Sequence, residues 1–124
     1  MQKDDYTDLL PVIDKCDSIV IATPIYNQQV CSMAKLFIER WYPFFKYGAP
    51  LMSNTSKPGK KGALVCSFWG SPVDATEKYA EWTVSGFSQM GCDKTRAVLF
   101  PQIPEKGDVL KKDEYVRKIH ELAE

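Results

Sequence analysis

The sequence predicts an α/β fold in which helices cover both faces of a parallel sheet. Three short apolar runs, at residues 19–22, 63–66 and 97–100, are bounded by turn residues. Such runs are typical of strands that are buried on both faces. Segments with helical spacing of apolar residues lie before, between and after these runs. Helix and strand therefore alternate along the chain, which predicts parallel strands joined by right-handed crossovers.

Each of the predicted helices has a single apolar stripe. The third helix has the clearest boundaries, because Asp74 stands three residues before Glu77, as in a capping box. Gly91 follows Met90 where a left-handed helix end is expected. In chain order, the stripes consist of Tyr6, Leu9, Leu10 and Ile13; Met33, Ala34, Phe37, Ile38 and Trp41; Ala75, Tyr79, Trp82, Gly86 and Met90; and Tyr115, Val116, Ile119, Leu122 and Ala123.

A long connection is predicted between residues 43 and 62, which are rich in Pro, Gly, Ser, Asn and Lys. Lys60 and Lys61 are interpreted as a solvated turn at its end. An aromatic cluster, Trp-Tyr-Pro-Phe-Phe at 41–45, precedes the connection. It is interpreted as core packing, or as a surface that is partly exposed for dimerisation, since two adjacent phenylalanines do not easily face one core.

The length of 124 residues predicts one domain over residues 1–124. Sixteen basic residues balance sixteen acidic ones, so no nucleic-acid or membrane partner is expected. Apolar runs are too short to span a bilayer, and we place the protein in the cytoplasm. The four cysteines have no close pairs and are interpreted as small buried hydrophobes.

Loops at the carboxyl ends of parallel strands are where ligands bind, because the loops diverge there. We expect these loops at residues 23–29, 67–74 and 101–108. No catalytic spacing of histidine, carboxylate or cysteine is present, so hydrolase and metalloenzyme activities are disfavoured. His120, the one histidine of the sequence, is expected on the surface.

Two segments carry a resemblance to a known family. Residues 17–27 read Asp-Ser-Ile-Val-Ile-Ala-Thr-Pro-Ile-Tyr-Asn, and residues 32–40 read Ser-Met-Ala-Lys-Leu-Phe-Ile-Glu-Arg. This order resembles the NADPH-dependent FMN reductase branch of the flavodoxin-like superfamily. That branch has an apolar strand, a Ser/Thr-Pro-x-Tyr loop, and a helix carrying Ser, Lys and a terminal Asp/Glu-Arg. Residues 59–65 and Gly91 fit more loosely, so the resemblance extends over nearly the whole chain.

The resemblance implies a flavodoxin-like three-layer α/β/α fold and an FMN cofactor. The first loop would approach the isoalloxazine edge through backbone groups turned by a proline bend, and the second would offer an aromatic ring for stacking. The second loop lacks the paired glycines common in the family, so it is also interpreted as a cover or a partner contact. The implied cofactor-binding residues are Thr23, Pro24, Ile25, Tyr26, Asn27, Ser67, Phe68, Trp69 and Gly70.

The family begins with a strand and a phosphate-binding loop that precede the matching part of this sequence. With the superfamily's strand order 2-1-3-4-5, the three predicted strands would be the third, fourth and fifth. The strand at 19–22 then becomes an edge strand, and such an edge invites another chain. We therefore expect an incomplete domain that needs its missing N-terminal segment or a second copy, in a homo-oligomer.

Two functions follow from the resemblance. The first is an FMN-dependent NAD(P)H oxidoreductase that passes hydride to a quinone, a flavin or another small electron acceptor. The second is a non-catalytic flavodoxin-like subunit that acts through self-association or a partner chain. Without the phosphate loop, FMN is expected to bind weakly or not at all.

Overall fold

The computed structural model describes residues 4–42, 45–46, 53–54 and 56–122. Helices and strands alternate in the predicted order, and the parts of the connection that are described add two short strands. The elements are α1 (Asp5–Lys15), β1 (Ser18–Tyr26), β2 (Gln29–Val30), α2 (Ser32–Glu39), β3 (Phe45–Lys46), β4 (Ser53–Asn54), β5 (Lys60–Ser67), α3 (Val73–Ser85), β6 (Cys92–Phe100) and α4 (Asp113–His120).

The main sheet has four strands in the order β2-β1-β5-β6. Strands β1, β5 and β6 are parallel, as predicted, and β1 pairs with β5 from Ser18 opposite Lys61 to Pro24 opposite Ser67. The short strand β2 returns antiparallel to β1, and β3 pairs with β4 in a separate ladder. Each parallel strand is longer than the apolar run that predicted it.

The first core lies on the sheet face that α1, α2 and α3 cover. Leu64 and Cys66 of β5 are fully buried there, together with Ala80 of α3 and Phe87 in the 3₁₀ turn that follows α3. Aromatic edge contacts run from Tyr6 through Phe37 and Trp41 to Phe87, with ring centroids 5.0–5.9 Å apart. These side chains join the three helices to the sheet through one continuous apolar layer.

The second core is smaller and lies under α4, on the opposite face. Val98 and Phe100 of β6 pack against Tyr115, and half-buried Val65 joins them. His120 is exposed at the end of α4, as predicted.

Strand β1 is not buried on both faces, and this part of the prediction is wrong. Ile19 and Thr23 are buried on the first-core side, whereas Val20 is 60% exposed and Ala22 is exposed on the other. The second core is built on β6 and on half-buried Val65 of β5, and it does not extend across to β1. A uniform apolar run cannot indicate which of its faces a helix covers.

The predicted start of α3 is wrong, whereas the predicted left-handed end at Gly91 is confirmed. Helix α3 begins at Val73 after Pro72, so Asp74 lies inside the first turn and the predicted capping box is wrong. Gly91 has φ +78° and ends the 3₁₀ turn, as predicted. A capping box does occur at α1, where the Asp4 carboxylate accepts a hydrogen bond from the Thr7 N–H.

Lys60 is buried, and the prediction of a solvated turn is wrong for it. Its Nζ lies 3.0 Å from Ser56 Oγ and 2.5 Å from the Lys57 carbonyl oxygen. These acceptors compensate the ammonium for lost water and allow the aliphatic stem to lie in the protein. Lys61, the next residue of β5, is exposed.

The aromatic cluster and the cysteines have mixed environments. Trp41 is buried and Tyr42 is exposed, whereas Phe44 and the Phe45 side chain lie outside the described residues. Cys66 and Cys92 are buried hydrophobes, as predicted, and burial raises the pKa of each thiol to about 11. Cys16 and Cys31 are only partly buried.

Candidate functional site

A crevice of about 410 Å³ lies at the carboxyl ends of β1, β5 and β6. The three loops that the sequence places at these ends converge on it, which confirms that they share one edge of the sheet. Its lining residues are Pro24, Ile25 and Tyr26 from the first loop, Ser67, Phe68 and Trp69 from the second, and Ile103, Pro104, Glu105, Lys106, Gly107 and Val109 from the third.

The first loop is a β-hairpin rather than a bend fixed by proline. Pro24 lies inside β1, and the strand continues to Tyr26 before it turns into β2. Asn27 and Gln28 form the two-residue turn with φ values of +49° and +65°, which is the geometry of a type I′ turn. The turn places Tyr26 on the surface, where the residue is 67% exposed.

Thr23 points away from the crevice into the first core. Its Oγ1 lies 2.9 Å from the Pro24 carbonyl oxygen and accepts a hydrogen bond from the Cys31 N–H at 3.2 Å. The same hydroxyl lies 3.3 Å from Cys31 Sγ, and with the Ala34 N–H at the start of α2 it lowers the pKa of that thiol. Thr23 therefore fixes the hairpin against α2 and has no contact with the crevice.

The second loop separates its two aromatic residues. Phe68 is 4% exposed, its N–H donates to the Phe100 carbonyl at 3.1 Å, and its own carbonyl accepts from the Ile103 N–H at 3.0 Å. Phe68 therefore ties the second loop to the third and forms part of the crevice wall. Trp69 is 65% exposed beside it, and Gly70 follows with φ +75°.

The third loop is held by α4 and by its own turn. The Tyr115 hydroxyl donates to the Pro101 carbonyl at 3.0 Å. Asp108 accepts a hydrogen bond from the Glu105 N–H and lies 2.7 Å from Lys111 Nζ, and this lysine lowers the pKa of the Asp108 carboxyl. The sequence predicted this loop by position but named no residue in it, because nothing in its composition distinguishes it from an ordinary turn.

The crevice contains some of the residues implied by the resemblance and not others. Pro24, Ile25, Tyr26, Ser67, Phe68 and Trp69 line it, whereas Thr23, Asn27 and Gly70 are not among its lining residues. Among the described residues, no three His, Cys, Asp or Glu side chains are grouped to hold a metal ion. No helix in the described part of the chain has the length and apolar character needed to cross a membrane.

A larger groove of about 640 Å³ lies elsewhere, on the open face of the sheet. Val20, Ala63 and Leu122 form its apolar part, and Lys94 and Arg96 lie at its border. Size alone favours this groove as a ligand site. The carboxyl-end crevice is the better candidate, because diverging loops and exposed aromatic side chains occur there.

The comparisons with known proteins show the fold. No protein-family model and no curated protein matches the sequence. Trp repressor binding protein from Bacillus subtilis is similar in structure, with a TM-score of 0.69, 24% identity, and coverage of 92% of this chain and 67% of that one. An FMN-dependent NADH-azoreductase from Bacillus anthracis str. Ames Ancestor, solved in complex with FMN, also gives a TM-score of 0.69, with 16% identity and coverage of 94% and 59%.

This chain thus spans less than two thirds of the azoreductase chain. The predicted flavodoxin-like α/β fold is confirmed by both similarities.

Proposed function

We propose that this chain forms the ring-binding side of an FMN-dependent NAD(P)H oxidoreductase. The observation that carries the proposal is the crevice in which Tyr26 and Trp69 are exposed at the carboxyl ends of adjacent parallel strands. The FMN-dependent azoreductase supports it, because a protein of the same fold binds FMN. Trp69 presents an exposed ring at the crevice, on which a ligand with a flat aromatic face could stack.

The crevice fits the isoalloxazine ring better than it fits the phosphate of FMN. Its volume of about 410 Å³ lies in the range of small-molecule sites, roughly 300–1,000 Å³. Ile103 and Val109 supply apolar walls beside the two aromatic rings. Lys106 is the one cation among the lining residues and stands next to Glu105, so phosphate recognition there is weak.

The protein's part in the chemistry is to hold and shield the ring. A bound flavin would take a hydride from nicotinamide and pass the electrons to a small acceptor. Tyr26 and Trp69 would exclude water from the ring faces, and Phe68 would keep two of the loops at a fixed separation through its backbone hydrogen bonds. Such a reaction does not require a group of acid and base side chains from the protein. The sequence offers no His, carboxylate and Cys residues at catalytic spacing.

Titration of the purified chain with FMN, followed by flavin fluorescence, tests the site. Trp69→Ala and Tyr26→Ala should each weaken binding about fivefold, since one aromatic contact contributes ~1 kcal/mol. Trp82→Ala is the matched control, because Trp82 is 74% exposed on α3 and does not line the crevice. Equal weakening by Trp82→Ala would contradict the assignment.

Asn27→Ala should have a smaller effect than either aromatic substitution. Asn27 lies at the tip of the hairpin with φ +49°, and alanine there makes the left-handed turn less favourable by about 1 kcal/mol without removing a wall of the crevice. His120→Ala, on the exposed end of α4, should leave flavin affinity unchanged. A large loss from His120→Ala would place the site elsewhere.

A comparison of FMN with riboflavin separates ring recognition from phosphate recognition. The two flavins should bind with affinities within about threefold of each other, because Lys106 contributes little as an exposed charge. Much tighter binding of FMN would show a phosphate site and refute this part of the proposal. If neither flavin binds, the oxidoreductase proposal fails and the non-catalytic subunit is the function that remains.

A further inference from the structure

One residue of the third loop has an unusual backbone conformation. Among the described residues other than glycine, Asn27, Gln28 and Gln102 have a positive φ. Asn27 and Gln28 form the tip of the hairpin, where the turn itself requires left-handed residues. Gln102 has φ +57° and is exposed next to Ile103, which lines the crevice. A β-carbon disfavours this conformation, and glutamine lacks the tolerance for it that asparagine has. The contacts around Gln102 therefore impose it.

Gln102 belongs to a turn that leads from β6 into the third loop. A proline followed by a left-handed residue is the arrangement of a type II turn, in which glycine is usual at the left-handed position. In such a turn the Ile103 N–H would often donate to the Phe100 carbonyl. Both groups instead bond to Phe68, whose N–H donates to the Phe100 carbonyl at 3.1 Å and whose carbonyl accepts from the Ile103 N–H at 3.0 Å. The second loop thus takes up the hydrogen bonds at both ends of the turn.

Contacts from α4 hold the middle of the same turn. The Tyr115 hydroxyl donates to the Pro101 carbonyl at 3.0 Å, and Lys112 Nζ donates to the Gln102 carbonyl at 3.3 Å. Residues 101–103 therefore each have a backbone group bonded to another part of the chain. A change of Gln102 to a negative φ would redirect the chain between Pro101 and Ile103, and the two sets of hydrogen bonds could not both persist.

The geometry points to Gln102 as a positioning residue of the crevice. Its left-handed backbone sets the direction in which the chain leaves β6, and this direction places Ile103 against Phe68. Ile103 is an apolar wall of the crevice, and Phe68 precedes Trp69 in the opposite wall. The separation of the second and third loops thus depends on Gln102. The role belongs to the backbone, because the Gln102 side chain is not among the lining residues.

Two substitutions of Gln102 separate the backbone role from the side chain. Valine is β-branched and strongly disfavours a positive φ, whereas asparagine tolerates it. In Gln102→Val, hydrogen exchange at the Ile103 amide should be about tenfold faster than in the wild type, because strain in the turn makes local opening easier. Gln102→Asn should exchange at the wild-type rate. Gln89→Val is the matched control, since Gln89 is exposed in the 3₁₀ turn after α3 and does not line the crevice.

Riboflavin affinity, measured by flavin fluorescence, shows whether the turn acts on the site. Gln102→Val should bind about fivefold more weakly than the wild type, because the binding-competent arrangement of the loops is then less populated. Gln102→Asn and Gln89→Val should bind as the wild type does. Exchange at the Leu64 amide should be unchanged in all variants, which distinguishes a local effect on the turn from general destabilisation.

The inference rests on the proposed function for its ligand, but the exchange measurement does not need flavin. If no form of the chain binds riboflavin while Ile103 exchange responds as expected, the proposed function fails and the role of Gln102 in holding the loops stands. Wild-type exchange at Ile103 in Gln102→Val overturns the inference. Faster exchange with unchanged riboflavin affinity also overturns it, as do equal effects of Gln102→Val and Gln102→Asn. If Gln102→Val does not fold, Gln102→Ala takes its place with the same expected directions, because alanine also lacks the tolerance of asparagine.

Discussion

The two faces of the main sheet are covered to different extents by apolar packing. The first core extends across β1, β5 and β6 under three helices. The second core is smaller and is built on β6, Val65 of β5, α4 with Leu122, and the third loop through Ile103 and Val109. Adjacent residues of β5 illustrate the contrast, since Leu64 is fully buried on one face and Val65 is half-buried on the other. Stability is therefore concentrated on the first face, and the second has surface left for other contacts.

Substitution of these two neighbours gives the largest expected difference. Leu64→Ala should lower the free energy of unfolding by about 2–5 kcal/mol, because a buried cavity remains. Val65→Ala should lower it by about 1 kcal/mol, because less apolar area is lost and the site is partly open. Urea denaturation measures both. Equal losses would show that the two faces are packed alike.

A hydrogen bond of the second core gives the next largest effect. Tyr115→Phe removes the hydroxyl that donates to the Pro101 carbonyl, at 3.0 Å. We expect a loss of about 1 kcal/mol in unfolding free energy, with little change in packing. Flavin affinity should also fall, because the third loop is no longer held against α4. Unchanged stability and affinity would show that α4 does not position this loop.

The smallest expected effect is a pH dependence of stability that arises from Asp4. Hydrogen bonding to the Arg40 guanidinium, whose Nη2 lies 3.0 Å from Asp4 Oδ1, is the main cause that lowers the pKa of Asp4 to about 2. The folded-state pKa lies below the unfolded value, so the stabilisation is present above about pH 4 and is lost as the pH falls toward 2.

Asp4→Asn should flatten the stability profile between pH 4 and about 2, measured as the melting temperature at each pH. High salt should weaken the wild-type effect, since the pair is partly exposed. An identical profile for the variant would show that Asp4 contributes no pH dependence.

The helices and the parallel strands were predictable because the spacing of apolar residues indicates each of them. The four helical stripes and the three apolar runs correspond to α1–α4 and to β1, β5 and β6. The β2 hairpin was not predictable in the same way, since its turn is Asn27-Gln28 and lacks the glycine that marks most type I′ turns. The open face of β1 was missed because Ile-Val-Ile-Ala is apolar at every position.

The candidate site was predictable by position more than by residue. The three loops were predicted because they follow the carboxyl ends of parallel strands, and these loops form the crevice. Which aromatic side chain of Phe68 and Trp69 is exposed depends on backbone hydrogen bonds to Phe100 and Ile103, which are distant in sequence. Lys60 shows the same limit, because its burial depends on acceptors that only the folded chain brings to it.

The central claim is that the carboxyl-end crevice, and not the larger groove on the open face, binds the flavin ring. Backbone amide chemical shifts of the isotope-labelled chain, followed during a riboflavin titration, test it directly. We predict shifts confined to residues 25–27, 67–70, 103 and 105–109, with Val20, Lys94 and Arg96 unchanged. Shifts centred on Val20, Lys94 and Arg96, or no shifts at saturating riboflavin, would contradict the account.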